Sequence, residues 1–322
     1  MQLQEPKRAR LLSISTLEKK YPAHIGYLYA FLTHFIGVVG TYLIQRVSRD
    51  FSSNQVLHFV GVQLVAYNYA TASHKKLPCC PSNPSITSKL ILRALAGMTS
   101  GILFYGGLPL APLSEATVVQ MSTPVMTGIL ALAFLNERYD RTLLLTTIFS
   151  LMGILMITKP PFLFGATEDD SQYPYKTFGL IILLVSSLFN SFGQILIKKL
   201  GAVSNAYTTS FYVGIGFCFS SSLGQIMQGV TSPADWIPYL WILLIGASRY
   251  LTHLLNNKSY ALGNAGKISL ISYAQVPVAY LIDLVIVGRE LDFYSGLGSL
   301  SVFSSMFIML FKQFKQSKTA KK

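Results

Sequence analysis

Charged residues are scarce in this chain: only 12% of its 322 residues are Asp, Glu, Lys or Arg, which is about half the share of an ordinary soluble domain. So little charge cannot cover a water-facing surface, and a hydrophobic content of 51% excludes disorder. Three cysteines are too few for a secreted disulfide scaffold, and no CxxC pair or His/Cys cluster indicates a metal site. The composition predicts an integral membrane protein without a metal or other cofactor.

Acidic residues are the rarer charge sign: 13 Asp and Glu stand against 26 Lys and Arg, which gives a net charge of +13. In a soluble protein this balance would indicate nucleic-acid binding. Here the basic residues lie mostly between apolar runs and in both tails, as in the cytoplasmic loops of membrane proteins, and no basic-and-aromatic module is present. We therefore expect the lipid bilayer as a partner and no nucleic acid.

Ten apolar segments are long enough to cross a bilayer as helices, which takes roughly 20 residues each. The first is too long for a signal peptide and lacks a small-residue cleavage site, so we expect it to be retained. The strongest segments are 141–158 and 177–197, and the weakest is 53–72 because it carries Asn, Gln and His residues. The predicted fold class is all-α integral membrane, with ten transmembrane helices at 24–45, 53–72, 88–106, 112–135, 141–158, 177–197, 204–227, 236–256, 265–287 and 294–313.

The distribution of Lys and Arg predicts the orientation of these segments. If the N terminus is cytoplasmic, the inside segments hold 17 basic residues and the outside loops hold 5. Because cytoplasmic loops carry an excess of Lys and Arg, both termini are predicted to be cytoplasmic. The bias does not distinguish the plasma membrane from an endomembrane.

Two stretches, 116–138 and 269–291, form a candidate internal repeat. Pro124 precedes Glu137 by thirteen residues, and Pro277 precedes Glu290 by the same interval. Two copies of five spans each would insert in opposite directions, as in many secondary transporters whose site lies between the halves near the midplane. Both prolines lie in the middle of predicted spans, where we expect helix kinks. Such kinks either border a polar cavity or only serve packing.

A family resemblance adds to this reading. Residues 108–165, which begin LPLAPLSEATVVQMSTPV and end PPFLFG, closely resemble the first EamA-type repeat of the drug/metabolite transporter superfamily. Residues 259–291 resemble the second repeat, and the PPFLFG ending is similar to the G branch of solute carrier family 35. The resemblance implies a 5+5 inverted-repeat carrier that works by alternating access. No match to the nucleotide-binding motifs of nucleotide-sugar carriers is present, so the substrate stays open.

The spans and the resemblance together divide the chain into five regions. Two five-helix EamA-like repeats are joined by an extracytoplasmic loop and flanked by cytoplasmic tails. The predicted boundaries are 1–23 for the N-terminal tail, 24–158 for the first repeat, 159–176 for the loop, 177–313 for the second repeat and 314–322 for the basic C-terminal tail.

Ionisable side chains at membrane depth are costly, so each is a candidate for function. Arg249 lies deep in the eighth predicted span, and His253 follows one turn later on the same face. Lys267 opens the ninth span, and Arg93 lies early in the third. These two either join a basic vestibule for an anionic metabolite or snorkel to the cytoplasmic interface. Glu115 begins the fourth span and serves either the helix N-terminus or substrate and proton coupling.

Neutral polar residues add hydrogen-bonding groups inside the bundle. Tyr273 and Gln275 rank first because they come just before Pro277, whereas Gln120, Asn190 and Gln194 are expected to join helices. The terminal glutamates of the repeat, Glu137 and Glu290, are expected to serve loop structure or gating. The candidate substrate-binding residues are therefore Arg249, His253, Lys267, Glu115, Tyr273 and Gln275, with Pro124 and Pro277 as helix kinks.

The predicted function is a multi-pass secondary transporter for a small anionic metabolite. An enzyme is not predicted, because neither HExxH nor GxSxG occurs. The alternative is a non-transporting membrane scaffold or regulator with a transporter-like fold, and a homodimer is compatible with either function. Cys79 and Cys80, which follow the second span, are either acylated or free thiols.

Overall fold

The computed structural model describes residues 14–47, 50–107, 110–111, 113–137, 140–158, 174–230, 232–282 and 293–319, with positions 163 and 285 besides. Regular structure in these residues is entirely helical. The helices are α1 (Ile14–Lys20), α2 (Pro22–Val47), α3 (Ser53–His74), α4 (Pro84–Gly107), α5 (Leu113–Gln120), α6 (Thr123–Leu135), α7 (Arg141–Thr158), α8 (Lys176–Leu200), α9 (Ala206–Gln228), α10 (Ile237–Leu262), α11 (Ala265–Ile271), α12 (Gln275–Ile282) and α13 (Phe293–Thr319).

Each of the ten predicted segments overlaps at least one of these helices. By length and apolar composition, five stretches qualify as membrane spans: Pro22–Ile44, Pro84–Phe104, Val118–Leu135, Lys176–Leu200 and Phe293–Lys312. The apolar part of α7 is shorter. Helix α3 falls below the hydropathy limit partly because it carries polar side chains. Two of these, Gln55 and Asn68, are buried in the bundle. The protein is thus an all-helical membrane protein, and the count of ten spans stays a prediction.

The two proline-containing segments are each divided rather than continuous. A turn at Met121–Ser122 separates α5 from α6, and Pro124 is the second residue of α6. Similarly, a 3₁₀ turn separates α11 from α12, and Pro277 lies in the first turn of α12. Proline has no N–H to donate and clashes with the carbonyl four residues earlier, which for Pro124 is that of Gln120. Thr123 Oγ1 donates to this carbonyl oxygen at 2.8 Å, and this hydrogen bond replaces the one that the proline N–H would have made.

The beginnings of the helices recur with a spacing of 152 to 154 residues. Helix α3 begins at Ser53 and α9 at Ala206; α4 begins at Pro84 and α10 at Ile237. Helix ends recur less regularly, although α2 ends at Val47 and α8 at Leu200. The packing has the matching pattern: α3 lies against α9, α7 against α13, α2 against α10 and α4 against α8. Exchanging the two halves of the chain therefore leaves this set of helix pairs unchanged.

Polar contacts gather helix ends at one face of the bundle. Lys258, near the end of α10, forms a salt bridge with Glu18 of α1 at 2.8 Å. Lys312, in the C-terminal part of α13, forms one with Asp140 at the start of α7 at 3.3 Å. Both described ends of the chain therefore lie at this face, which we call the chain-end face. The opposite face holds the ends of α2 and α4 and the beginning of α3.

Candidate functional site

A cavity of about 470 Å³ is lined by residues of α2–α5, α8–α10 and α12. Its floor is at the middle of the bundle, where Gln275 of α12 and Arg249 of α10 contribute to the lining. The upper wall includes Ile44 and Phe104, near the ends of α2 and α4, and Val56, near the start of α3. The cavity therefore extends from the bundle centre toward the face opposite the chain-end face.

Arg249 and His253 occupy the same wall of this cavity. Arg249 is the middle residue of α10, and its Nη2 donates to Thr41 Oγ1 of α2 at 3.2 Å. One turn further on, the ring of His253 stands edge-on to that of Phe217, with 5.8 Å between centroids. The described residues that line the cavity include no Asp or Glu. Among these described residues, Arg249 contributes the positive charge.

Gln275 brings an amide to the same cavity. Its Nε2 lies 3.6 Å from the sulfur of Met121, and its side chain also hydrogen-bonds to His34 of α2. His34 is not among the site residues predicted from the sequence. An isolated histidine in an apolar run gives no periodic signal, so only the packing of α2 on the 3₁₀ turn and α12 reveals it.

Arg93 does not occupy the position expected of a snorkelling side chain, which would reach the membrane interface. It is 6% exposed. A Cβ built on Gly97 would lie 2.7 Å from its Nη1, and one built on Gly193 of α8 would lie 3.3 Å from the same atom. Since Gly97 is one turn further from the chain-end face and lines the cavity, the guanidinium points toward the cavity instead of the interface. The snorkelling alternative for Arg93 is therefore wrong.

Lys267 and Tyr273 are not among the described residues that line the cavity. Lys267 lies at the start of α11, within electrostatic range of Asp140 and Glu137 at the chain-end face. Tyr273 is 1% exposed and packs in the hydrophobic core. Glu115 belongs to α5, but its side chain, like the whole of Glu290, lies outside the described residues.

Two residues expected to join helices, Gln120 and Asn190, do line the cavity. A string of amides continues from Asn190 toward the chain-end face. Gln194 Nε2 donates to Asn190 Oδ1 at 3.4 Å, and Asn256 Nδ2 donates to Gln194 Oε1 at 3.1 Å. Asn256 was not among the residues singled out from the sequence, because it is the last residue of its predicted span, 236–256. This polar string joins α8 to α10 below the cavity floor.

Polar contacts join helix ends at the chain-end face. Glu137 Oε2 accepts a hydrogen bond from the backbone N–H of Ala265 at 2.8 Å, at the start of α11. Glu137 thus contacts a helix N-terminus, where a carboxylate is favoured by the helix dipole. Within residues 177–313, Lys198 Nζ donates to the carbonyl oxygen of Gly263 at 2.5 Å. The cavity extends toward one face of the bundle, and the other face is held by polar contacts.

The family match agrees with this architecture. Residues 24–159 match the EamA-like transporter family. Human solute carrier family 35 member G1 is 25% identical over 301 residues, which cover 89% of this chain and 80% of that protein. The S-adenosylmethionine uptake transporter of Rickettsia bellii is 26% identical over 78% of this chain and 84% of its own length. A probable transport protein of Saccharomyces cerevisiae is 24% identical over 74% of this chain and 71% of its own.

A solved crystal structure has the same fold with a TM-score of 0.72. It covers 89% of this chain and 95% of its own, and at 14% identity the likeness shows the fold alone. The relatives named as transporters or solute carriers support a membrane transporter. More particularly, residues 24–159 are similar to the EamA-like transporter family, and most of the chain is similar to solute carrier family 35 member G1.

Proposed function

We propose that this protein is a secondary carrier that moves a small anionic metabolite by alternating access between two inverted five-helix halves. The observation that carries the proposal is the placement of Arg249 and His253 on a cavity whose described lining contains no carboxylate. The positive charge of Arg249 would attract an anion that enters the cavity. The transporters among the relatives support a small solute as the cargo.

The spacing of 152 to 154 residues between corresponding helix beginnings supports the inverted repeat. A copy of five spans begins on the opposite side of the membrane from the copy before it, and helix pairs that are unchanged by exchanging the halves are what a pseudo-twofold axis produces. The two halves are 24–158 and 177–313. The site would lie where α4 meets α8 and α10 meets α2, close to the axis.

Alternating access is supported by the difference between the two faces. The cavity extends toward one face, whereas Glu137 and Asp140 bond across the halves, to Ala265 and Lys312, at the other. Under the predicted orientation, with both termini in the cytoplasm, the open side is extracytoplasmic. Transport then requires that the contacts of the chain-end face break and that the opposite ends of the helices close.

Exchange measurements in proteoliposomes test this function. We expect uptake of at least one small organic anion, competition by other anions, and no competition by choline. Arg249→Gln should weaken the apparent affinity roughly ten- to hundred-fold, because a hydrogen bond to a charged group contributes about 1.5–3 kcal/mol. Arg249→Lys should retain part of the affinity, since it keeps the charge but not the fork geometry.

Lys89→Gln is the matched control, because Lys89 is an exposed basic residue of α4 outside the cavity lining. Its exchange rate should equal that of the wild type. Transport restricted to cations or neutral solutes would contradict the anionic assignment. A protein that exchanges no solute at all would favour the scaffold alternative.

A further inference from the structure

The lining of the cavity changes in polarity with depth. Amide and charged side chains cluster at the floor, in the middle of the bundle: Gln120, Asn190, Arg249, His253 and Gln275. Apolar side chains continue from there along the upper wall, toward the face opposite the chain-end face: Ile44, Val56, Leu57, Ile102 and Phe104. A ligand that fits this cavity therefore meets polar groups at one end and apolar groups at the other.

The two serines nearer the upper wall do not change this division. Ser100 Oγ donates to the backbone carbonyl of Ser186 at 3.0 Å. Ser220 Oγ donates to the carbonyl of Phe217, within its own helix, at 3.2 Å. Because both hydroxyl protons are used inside the protein, these serines make the wall only slightly more polar.

Part of the apolar lining is backed by a packed hydrophobic cluster of α2, α3 and α10. Val56 and Val60 belong to this cluster, and each is 4% exposed. Ile44 and Phe217 pack against the cluster but are only half-buried. Since both also line the cavity, part of their remaining surface faces it. An apolar ligand group placed there would extend the cluster.

Phe217 lies where the floor meets the apolar lining. It is the middle residue of α9, as Arg249 is of α10, so the ring and the guanidinium lie at similar depth. The ring stands edge-on to that of His253 at the floor, with 5.8 Å between centroids. An anion attracted to the floor would therefore place the carbon skeleton next to its charged group against Phe217.

We propose that the substrate is an organic anion with an apolar body, such as an aryl or branched alkyl carboxylate, and that Phe217 selects this body. The inference rests on the proposed function and narrows its substrate class. The carboxylate would lie at the floor, and the body would cover Phe217 and Ile44. Apolar surface that leaves water there contributes to affinity in proportion to its area, and binding sites commonly combine apolar walls with a few polar groups that fix orientation.

Ligand-induced thermal stabilisation of the purified full chain at neutral pH and one ionic strength tests the proposal. The probes are 3-phenylpropionate, propionate and 3-phenylpropionamide. The first two differ by one phenyl group at constant charge, and the amide keeps that group without the charge. We expect 3-phenylpropionate to have an apparent Kd roughly ten- to hundred-fold lower than that of propionate, as the area of a partly buried phenyl group requires. The amide should bind more weakly than the acid.

Substitutions in α9 assign the apolar contact. Phe217→Ala should raise the apparent Kd for 3-phenylpropionate roughly ten-fold and leave that for propionate as in the wild type. Phe217→Leu should retain part of the phenyl preference, because it keeps an apolar side chain. Phe219→Ala is the matched control: Phe219 lies on the same helix, is 61% exposed and is not among the described residues that line the cavity. It should bind all three probes as the wild type does.

Three results would overturn the proposal. Propionate that binds the wild type as tightly as 3-phenylpropionate removes its basis, and this measurement stands even where Phe217→Ala does not fold. A phenyl preference that survives Phe217→Ala, or that is lost equally in Phe219→Ala, removes the selective role of Phe217. In each case propionate binding that depends on Arg249 leaves the proposed function intact. An amide that binds as tightly as the acid, or failure of both acids to bind, overturns the anionic assignment as well.

Discussion

The hydrogen bond between Glu137 and Ala265 is the contact whose removal should most directly shift the carrier between its two states. Glu137 follows α6 in the first half, and Ala265 begins α11 in the second. A hydrogen bond to a charged group contributes about 1.5–3 kcal/mol. If the bond exists only while the chain-end face is closed, Glu137→Ala changes the ratio of the two states by roughly ten- to hundred-fold. Glu137→Gln keeps an acceptor oxygen and loses only the charge, so about five-fold is expected.

Cysteine labelling at Gly101 measures this ratio. Gly101 lines the cavity, and a Cβ added there would meet no atom within 4 Å, so Gly101→Cys should be tolerated. The background replaces the three native cysteines, Cys79, Cys80 and Cys218. A bulky maleimide reaches position 101 only while the cavity is open to the face opposite the chain ends. The labelling rate at position 101 should therefore be highest in the protein that keeps Glu137, lower in Glu137→Gln and lowest in Glu137→Ala.

Gly106→Cys supplies the control reporter. Gly106 lies on the same helix with equally open surroundings but does not line the cavity, so its labelling should not respond to position 137. Equal labelling of Gly101→Cys in all three proteins, with Gly106→Cys also unchanged, would refute the role of Glu137 in closing the chain-end face. A parallel fall at both reporters would indicate general unfolding instead.

Two further predictions concern stability. A Cβ on Gly153 of α7 would lie 2.6 Å from the carbonyl oxygen of Gly298 on α13, so Gly153→Ala should lower the free energy of unfolding by about 1–3 kcal/mol. Gly101→Ala should instead raise the free energy of unfolding by up to about 1 kcal/mol, because alanine has the higher helix propensity. Thermal unfolding in detergent compares the two variants, and equal effects would contradict the α7–α13 packing. Partial burial opposes ionisation of Glu18, but hydrogen bonds from Lys258 and Tyr29 outweigh it and hold the pKa of Glu18 below its ordinary value of 4.5. Because the pKa is lowered in the folded state, this contact stabilises the protein above pH 4.5 and the contribution is lost as the pH falls through the lowered pKa. The contribution should be about 0.2–1 kcal/mol, as for other partly exposed pairs, and Tm measured against pH should lose less in Glu18→Gln than in the wild type.

Hydropathy predicted best the helices whose most apolar window contains few polar side chains. Helix α8, with a mean hydropathy of 2.1 in its most apolar window, needs no partner to be recognised. Helix α3 is harder because its polar groups are satisfied by neighbouring backbone: Gln63 donates to the carbonyl of Ile242 on α10, and Asn68 donates to that of Leu64. A sequence window counts these side chains as unfavourable to burial, although the bundle provides their hydrogen bonds.

The site was harder to predict than the fold because depth along a helix does not fix the direction of a long side chain. Arg93 and Lys267 both lie toward the same end of their predicted spans, yet Arg93 turns to the cavity and Lys267 stays near Asp140. Gly97, one turn after Arg93, was a local signal that space existed on that side. Gly193 was not, because only the packing of α4 on α8 brings it to Arg93.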